Sequence, residues 1–249
     1  GTKTVNGKPM LCNDPHLGFR LPAIWYACHF CVKGENVAGV TFPGAPIIVI
    51  GQNDRIAWGI TNMQADAVDY FIETVDPANP RRYKHKGMWK EMEVVTETIP
   101  VKGGEPIEYI IERTVHGPII ARGEQTIAMQ WTGFGQTTEA VGLWKLNHGK
   151  NIKDYLAALE LVTVPCLNLI YSDIDGNIAI HPTGRLPKRA TGAGRVPMDG
   201  ASGMYDWMEW IPREELPLAV NPADHFVASA NSRPQPLEDT QYIGWMWDD

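Results

Sequence analysis

Three short segments carry side chains whose types and spacing can do chemistry. Asn13-Asp14-Pro15-His16 ends on a histidine, a side chain that titrates near neutrality without help, so His16 suits an acid/base or orienting role. The plainer alternative is a turn with a hydrogen-bonded surface histidine. Between Trp58 and Asp69 the chain places Asp66 and Asp69 with backbone carbonyls between them. Calcium takes several oxygens in loose geometry, so this pair suits a shared hard cation; a solvated acidic loop fits the pattern equally well. In Ala228-Ser229-Ala230-Asn231-Ser232-Arg233-Pro234, Asn231 offers a neutral amide that can donate to an oxyanion, or it is a turn asparagine. Ser229 and Ser232 lack the G-x-S-x-G surroundings of a nucleophile elbow, and spacing alone builds no Ser-His-Asp triad.

Other patterns carry less. Asp173-Ile174-Asp175-Gly176-Asn177 opens like an EF-hand loop, but the acidic closing residue is missing, so a hairpin turn is expected. Cys28-His29-Phe30-Cys31 has CxxC spacing with no second ligand pair, and on a strand residues three apart point to opposite faces. Buried structural thiols are expected there. Trp207-Met208-Glu209-Trp210 and Trp245-Met246-Trp247 pack a core edge or form an aromatic carbohydrate platform. No Gly-rich phosphate loop, HExxH or basic stripe occurs.

The elements that must hold these residues read mostly as strands. Residues 24–32 form one. Residues 47–50 and 55–60 form a hairpin around a turn at 51–54, and residues 94–101 and 106–115 form a second, charged hairpin at the surface. Residues 126–131 read as a further strand. Ile152, Tyr155, Leu156 and Leu159 recur at helical spacing, which predicts a helix over 151–162 with Asn151 as its N-cap and Pro165 beyond its end. A second helix is predicted over 138–147, with Val141, Trp144 and Lys145 on one side. Residues 167–171 and 178–181 then bracket the Asp173–Asn177 turn. Strands, two helices and strands again give an α+β class with a large antiparallel sheet against helices.

The chain has 249 residues, enough for one large domain or two small ones. Its 44% hydrophobic and 20% charged content argue against disorder. A net charge of −7 argues against nucleic acid or an anionic membrane as the main partner, and no apolar run is long enough to span a bilayer. Gly 24 and Pro 19 favour many short strands. No signal peptide is read within these residues. The four cysteines, Cys12, Cys28, Cys31 and Cys166, say little about compartment.

Several of these motifs together resemble the penicillin acylase family of N-terminal nucleophile hydrolases. The residues that carry the resemblance are Gly7-Lys8-Pro9-Met10-Leu11-Cys12-Asn13-Asp14-Pro15-His16-Leu17, Phe42-Pro43-Gly44-Ala45-Pro46 and Ile50-Gly51-Gln52-Asn53-Asp54-Arg55-Ile56-Ala57-Trp58-Gly59. Arg113-Thr114-Val115-His116-Gly117-Pro118, Tyr171-Ser172-Asp173-Ile174-Asp175-Gly176-Asn177-Ile178 and Ala230-Asn231-Ser232-Arg233-Pro234 follow in family order. Any one is weak; all in order across the chain are specific.

The resemblance implies a four-layer αββα fold with antiparallel sheets, present here in part. It implies a heterodimer cut from one precursor, in which residues 1–249 are the first half of the large (β) subunit, one incomplete domain without its N-terminal serine segment. In that family the serine hydroxyl attacks an amide while its own α-amino group acts as base. The family segment S-N-x-W-x-V-x-G ends at Gly1 by this alignment, which puts the serine about seven residues earlier, so this stretch by itself is expected to be inactive. His16 takes the position after the N-D-P turn that contacts the nucleophile, and a histidine there is closer to cephalosporin and acyl-homoserine-lactone acylases than to penicillin G enzymes. The Asn62 backbone N–H and the Asn231 amide become the oxyanion donors. Leu17, Ile50, Ile60, Trp144 and Leu167 become the wall of an apolar acyl pocket. Asp66, the Val68 carbonyl and Asp69, with the Gly194 carbonyl, become ligands of a structural Ca2+; no organic cofactor is implied. The implied partners are the small (α) subunit and a small-molecule amide, a β-lactam, an acyl-homoserine lactone or a relative, and the implied location is periplasmic or extracellular. The alternatives are a non-catalytic scaffold or ligand-binding piece, and a carbohydrate-binding β-domain built on the tryptophans.

Overall fold

A computed structural model describes residues 1–234 and residue 243. Trp245 and Trp247 of the second tryptophan pair lie outside the described residues. In chain order the strands are β1 (Tyr26–Val32), β2 (Glu35–Thr41), β3 (Ile50–Asn53), β4 (Ile56–Asn62), β5 (Val68–Glu73), β6 (Val75–Asp76), β7 (Asn79–His85), β8 (Met88–Glu91) and β9 (Glu93–Ile99). They continue with β10 (Ile107–Thr114), β11 (Gly117–Arg122) and β12 (Thr126–Trp131), then helices α1 (Glu139–Asn147) and α2 (Ile152–Leu159). Six further strands follow among the described residues: β13 (Leu167–Asp173), β14 (Ile178–Pro182), β15 (Pro187–Arg189), β16 (Met198–Asp199), β17 (Trp207–Trp210) and β18 (Ala219–Val220). No helix among the described residues is long and apolar enough to cross a membrane.

The chain divides into two compact units. The first takes Gly1–Ala65, Gly135–Arg185 and the described residues from Ile211 to Pro234. Its sheet runs β1-β2-β3-β4-β13-β14-β18, with every neighbouring pair antiparallel. Trp58, Leu169 and Tyr171 from the sheet meet Leu146, Tyr155 and Leu159 from the helices in a dry core. Each such side chain contributes about 1.5–3 kcal/mol by leaving water. The pleat then decides the rest. With Leu167 opposite Asn62 and Leu169 opposite Ile60, these four share the helix-facing side, and Asn168 and Thr61 face the other way.

Helix α2 starts where the pattern places it. The Asn151 Oδ1 accepts from the Lys153 and Asp154 N–H groups at 2.9 and 3.1 Å. Asn151→Ala is therefore expected to cost about 1 kcal/mol, read as a lower urea midpoint at unchanged m-value. The helix stops at Leu159 rather than 162, because Leu161 and Val162 turn tightly onto the Ala158 and Leu159 carbonyls.

Helix α1 spans the predicted residues but turns the opposite face inward. Val141 and Trp144 are exposed, and Gly142, Leu146 and Asn147 are buried. The reason is Gly142: a Cβ there would lie 2.9 Å from the Ala158 carbonyl oxygen and 2.9 Å from Val162, so the helices pack through the glycine. The first hairpin also differs. Its strands are β3 and β4, and the turn sits at 54–55, because the Asn53 Oδ1 accepts from both the Arg55 and Ile56 N–H groups. Ile48 leaves the ladder and pairs its N–H and C=O with the side-chain amide of Asn147, each at 2.7 Å. The predicted 173–177 turn forms as expected: Asp173 accepts from the Asn177 N–H, the Asn177 amide and the Tyr171 hydroxyl.

The second unit takes Asp66–Phe134, Leu186–Trp210 and residue 243. Its largest sheet runs β16-β5-β12-β11-β10-β9, antiparallel throughout except for the edge pair β16–β5, which is parallel. Phe71, Ala128 and Met198 form its core. The predicted charged hairpin is β9–β10, exposed at the sheet edge. Of the cysteines only Cys166 is buried and Cys12 is exposed; against the expected buried thiols, Cys28 is half-buried and Cys31 exposed, since their strand, Tyr26–Val32, is at the sheet edge.

Candidate functional site

In the first unit, β4 ends at Asn62, and the loop 228–234 passes beside that end. The Asn62 N–H donates to the Asn231 Oδ1 at 3.1 Å, so two groups far apart in sequence meet at one point. Asn231 holds a left-handed backbone, φ +55°, a conformation that places its side chain at some cost and recurs at functional positions. Beneath the pair, the Asn168 Nδ2 lies within hydrogen-bond reach of the Asn62 carbonyl (3.2 Å), the Ser232 carbonyl (2.9 Å), the Ser229 hydroxyl (3.1 Å) and the Thr61 hydroxyl (3.3 Å). Ser229 and Thr61 are themselves joined at 2.6 Å. Sequence reading missed Asn168; its only signal is its register opposite Thr61, which needs the sheet to be known.

The Asn13-Asp14-Pro15-His16 segment is fastened to the same strand. The Asn13 amide pairs with the Ile60 N–H and carbonyl at 2.9 and 3.0 Å, as a neighbouring strand would. His16 is exposed and bonds to Asp14 at 2.7 Å. Of the five pocket residues, Ile60 and Leu167 lie side by side against the helix-facing core, and Ile50 is buried in β3. Leu17 and Trp144 are exposed, and Trp144 lies against His148 at a centroid distance of 4.4 Å. None of the five lines the cleft of about 540 Å3 in this unit whose walls include Gly1, Pro9 to Cys12, Ile170, Ser172 and the stretch from His225 to Ser229.

In the second unit, Asp66 and Asp69 are both buried, and the Arg189 guanidinium bridges them. Its Nε donates to the Asp69 Oδ2 at 2.7 Å, and its Nη2 lies 3.2 Å from the Asp66 Oδ2 without hydrogen-bond alignment. That Asp66 oxygen is buried and makes no hydrogen bond among the described residues. Burial pushes the Asp66 carboxyl up to about 7; Arg189 pulls it down and Asp69 pushes it further up. Gly194 closes the group: a Cβ there would lie 2.2 Å from the Asp69 Oδ1 and 2.7 Å from the Asp66 Oδ2, so only glycine fits. Once Asp66 is ionised, above about 7, two carboxylates against one guanidinium leave a negative charge and an unmet oxygen, a donor set that fits a hard cation. Val68 contributes its N–H to the Asp66 Oδ1 at 3.3 Å. The Trp207 indole N–H donates to the Asp69 Oδ2, which ties that tryptophan edge-on to Trp210 rather than laying out a flat platform.

The same unit holds a second buried group. His116 lies between two carboxylates, its Nδ1 2.8 Å from Glu73 and its Nε2 3.1 Å from Asp206. His85 reaches Asp206 at 3.1 Å. The lysine ammonium groups of Lys86, 2.8 Å from Asp206, and Lys90, 3.1 Å from the His85 Nδ1, already supply positive charge there. Sequence reading quoted His116 in a motif and assigned none of these residues a role.

Comparison with known proteins bears on the family and the fold. The penicillin amidase family model matches residues 1–249. The chain is 32% identical over 245 residues to penicillin G acylase of Escherichia coli, covering 94% of this chain and 28% of that protein. It is 30% identical over 241 residues to an acyl-homoserine lactone acylase of Pseudomonas fluorescens (strain Pf0-1), covering 93% of this chain and 29% of that protein. The chain thus spans less than a third of these curated relatives. Among solved structures it matches the thermostable penicillin G acylase from Alcaligenes faecalis with a TM-score of 0.82 at 28% identity, over 92% of this chain and 42% of that one. The fold is that of the N-terminal nucleophile hydrolases, mostly antiparallel strands with few helices. A family model that runs the whole length of the chain, and a shared fold, show that this chain belongs to the penicillin amidase family.

Proposed function

We propose that the intact protein is an acylase that hydrolyses the amide of an N-acylated small molecule, of the β-lactam or acyl-homoserine-lactone type, through an N-terminal serine. The observation that carries this reading is the meeting of the Asn62 N–H and the Asn231 amide at 3.1 Å. A carbonyl oxygen that gains charge between them draws the N–H from its present acceptor, and the amide, turned about its last torsion, offers its Nδ2. The serine, supplied by the segment before Gly1, adds its hydroxyl oxygen to the carbonyl carbon and gives its proton to its own α-amine. The C–N bond then breaks, the amine leaves with that proton, and water cleaves the ester. The cleft that holds Gly1 at one wall and Ser229 at another gives that segment a route, because Ser229 is bonded to the Asn168 and Thr61 cluster under the donors. A small subunit from the same precursor and export to the periplasm or medium belong to this reading.

The test is N-terminal sequencing of the processed full-length protein together with hydrolysis of a panel of N-acyl p-nitroanilides. A large subunit that begins with serine, and turnover lost on serine to alanine, supports the acylase. An unprocessed protein that hydrolyses none of the panel overturns it and leaves an acylase fold used for binding.

Calcium belongs to the same proposal. Asp66, Asp69 and the Val68 and Gly194 carbonyls would hold it, and its role is to tie their segments together. Because the buried Asp66 carboxyl keeps its proton up to about 7, proton and cation compete. Calcium affinity is therefore expected to weaken as the pH falls from 8 to 6, by about tenfold per unit once Asp66 is mostly protonated. Isothermal titration of calcium at the two pH values checks this; equal affinities would remove Asp66 from the ligand set.

A further inference from the structure

Asn168 is 1% exposed and sits on β13 opposite Thr61, on the side of the sheet away from the helices. A primary amide has two N–H donors, yet four acceptors lie within 3.3 Å of this Nδ2. They are not a random set. One is the carbonyl of Asn62, at the last rung of the β4–β13 ladder, where strand ends otherwise fray. Two flank Asn231: the Ser229 hydroxyl before it and the Ser232 carbonyl after it. The other end of the same amide, Oδ1, is buried and makes no hydrogen bond among the described residues.

We infer that Asn168 is the positioning residue of the oxyanion site: one buried side chain clamps both segments that carry the donors and sets the distance between the Asn62 N–H and the Asn231 amide. The inference rests on the acylase reading and deepens it. Donors act on an oxyanion only when they are held in place beforehand, and a misplacement of about 1 Å can cost about 10²-fold in rate. The Asn62–Asn231 contact crosses from a strand end to a loop with a left-handed residue, so neither segment holds that geometry by its own ladder.

The experiment uses the full-length processed protein and whichever of N-phenylacetyl- and N-octanoyl-p-nitroanilide the wild type hydrolyses. Asn168→Asp keeps the shape and removes the Nδ2 donors; Asn168→Ser, which leaves room for a water, serves if the first does not accumulate. The expected result is a fall in kcat of about 10–10²-fold with KM within about threefold. The alkylboronic acid of matching chain, which forms a tetrahedral adduct on the serine, is expected to lose affinity by the same factor as kcat, with the carboxylate product bound as before. A merely structural role would move substrate, product and boronate together. Either variant, folded and processed, with kcat within twofold of wild type overturns the inference, and so does a kcat loss with boronate affinity unmoved. An unprocessed wild type that hydrolyses neither these amides nor any other of the panel overturns the acylase reading itself, and the role assigned to Asn168 with it.

Discussion

On the acylase reading, Asn231→Ala in the full-length processed protein is expected to lower kcat by about 10²–10³-fold and to leave KM within about threefold. The side chain can act only where charge develops. Its Oδ1 already accepts the Asn62 N–H at 3.1 Å, and its backbone is held at φ +55° by a loop whose neighbours are bonded to Asn168. In the ground state a carbonyl gains little from one more donor; in the tetrahedral intermediate the oxygen carries nearly a full charge. Alanine removes a donor that matters only once the oxygen is charged, so the loss is expected to fall on kcat. Steady-state kinetics on a p-nitroanilide decides it. A loss carried by KM instead would place Asn231 in substrate binding, and a kcat within twofold of wild type would remove it from the chemistry. Asn231→Asp is expected to lose at least as much, since a carboxylate would repel the oxyanion.

His116→Ala is expected to destabilise the second unit by about 3–5 kcal/mol, the range for truncating a large buried ring and leaving its hydrogen-bond partners unpaired. The imidazole is 2% exposed, stacked on Phe71 at 3.9 Å, and bonded at both nitrogens to carboxylates. Its loss opens a cavity and leaves Glu73, which already has one buried oxygen without a hydrogen bond, facing that cavity. The effect also depends on pH. Burial raises the Asp206 carboxyl, but hydrogen bonds from Lys86, His116 and His85 outweigh it and hold the group below its usual 3.8. A carboxylate depressed in the folded state gives stability that is present above 3.8 and is lost as the pH falls through its folded value. Without His116 that depression shrinks, so acid unfolding of the variant begins at a higher pH. Hydrogen exchange on β5 and β12, with β4 and β13 as the reference, separates this unit from the other. Protection of β5 and β12 equal to wild type would show that the network does not carry the unit.

Local chemistry was legible in the sequence by itself. The Asn151 cap, the β12 strand and the tight turn from Asp173 to Asn177 depend on neighbours a few residues away, and all three stand where the pattern places them. The motifs in order were enough for the family and, with it, the fold. The face of α1 was not legible, because the decisive contact is between Gly142 and the Ala158 carbonyl of another helix. The site was legible only as separate residues. Asn62 and Asn231 stand 169 apart in sequence, Asn168 and Asn62 106 apart, Arg189 and Asp69 120 apart, and His116 and Asp206 90 apart. Side-chain type and spacing report on turns of a helix and pleats of a strand, a few residues at a time. Which strands lie together, and in what register, follows from burying the apolar faces of the whole chain. The sequence alone singled out Asn231, Asp66 and Asp69, and the family resemblance added Asn62; the tertiary structure decided that Asn168 joins the segments of the two asparagines and that Arg189 bridges the two carboxyl groups.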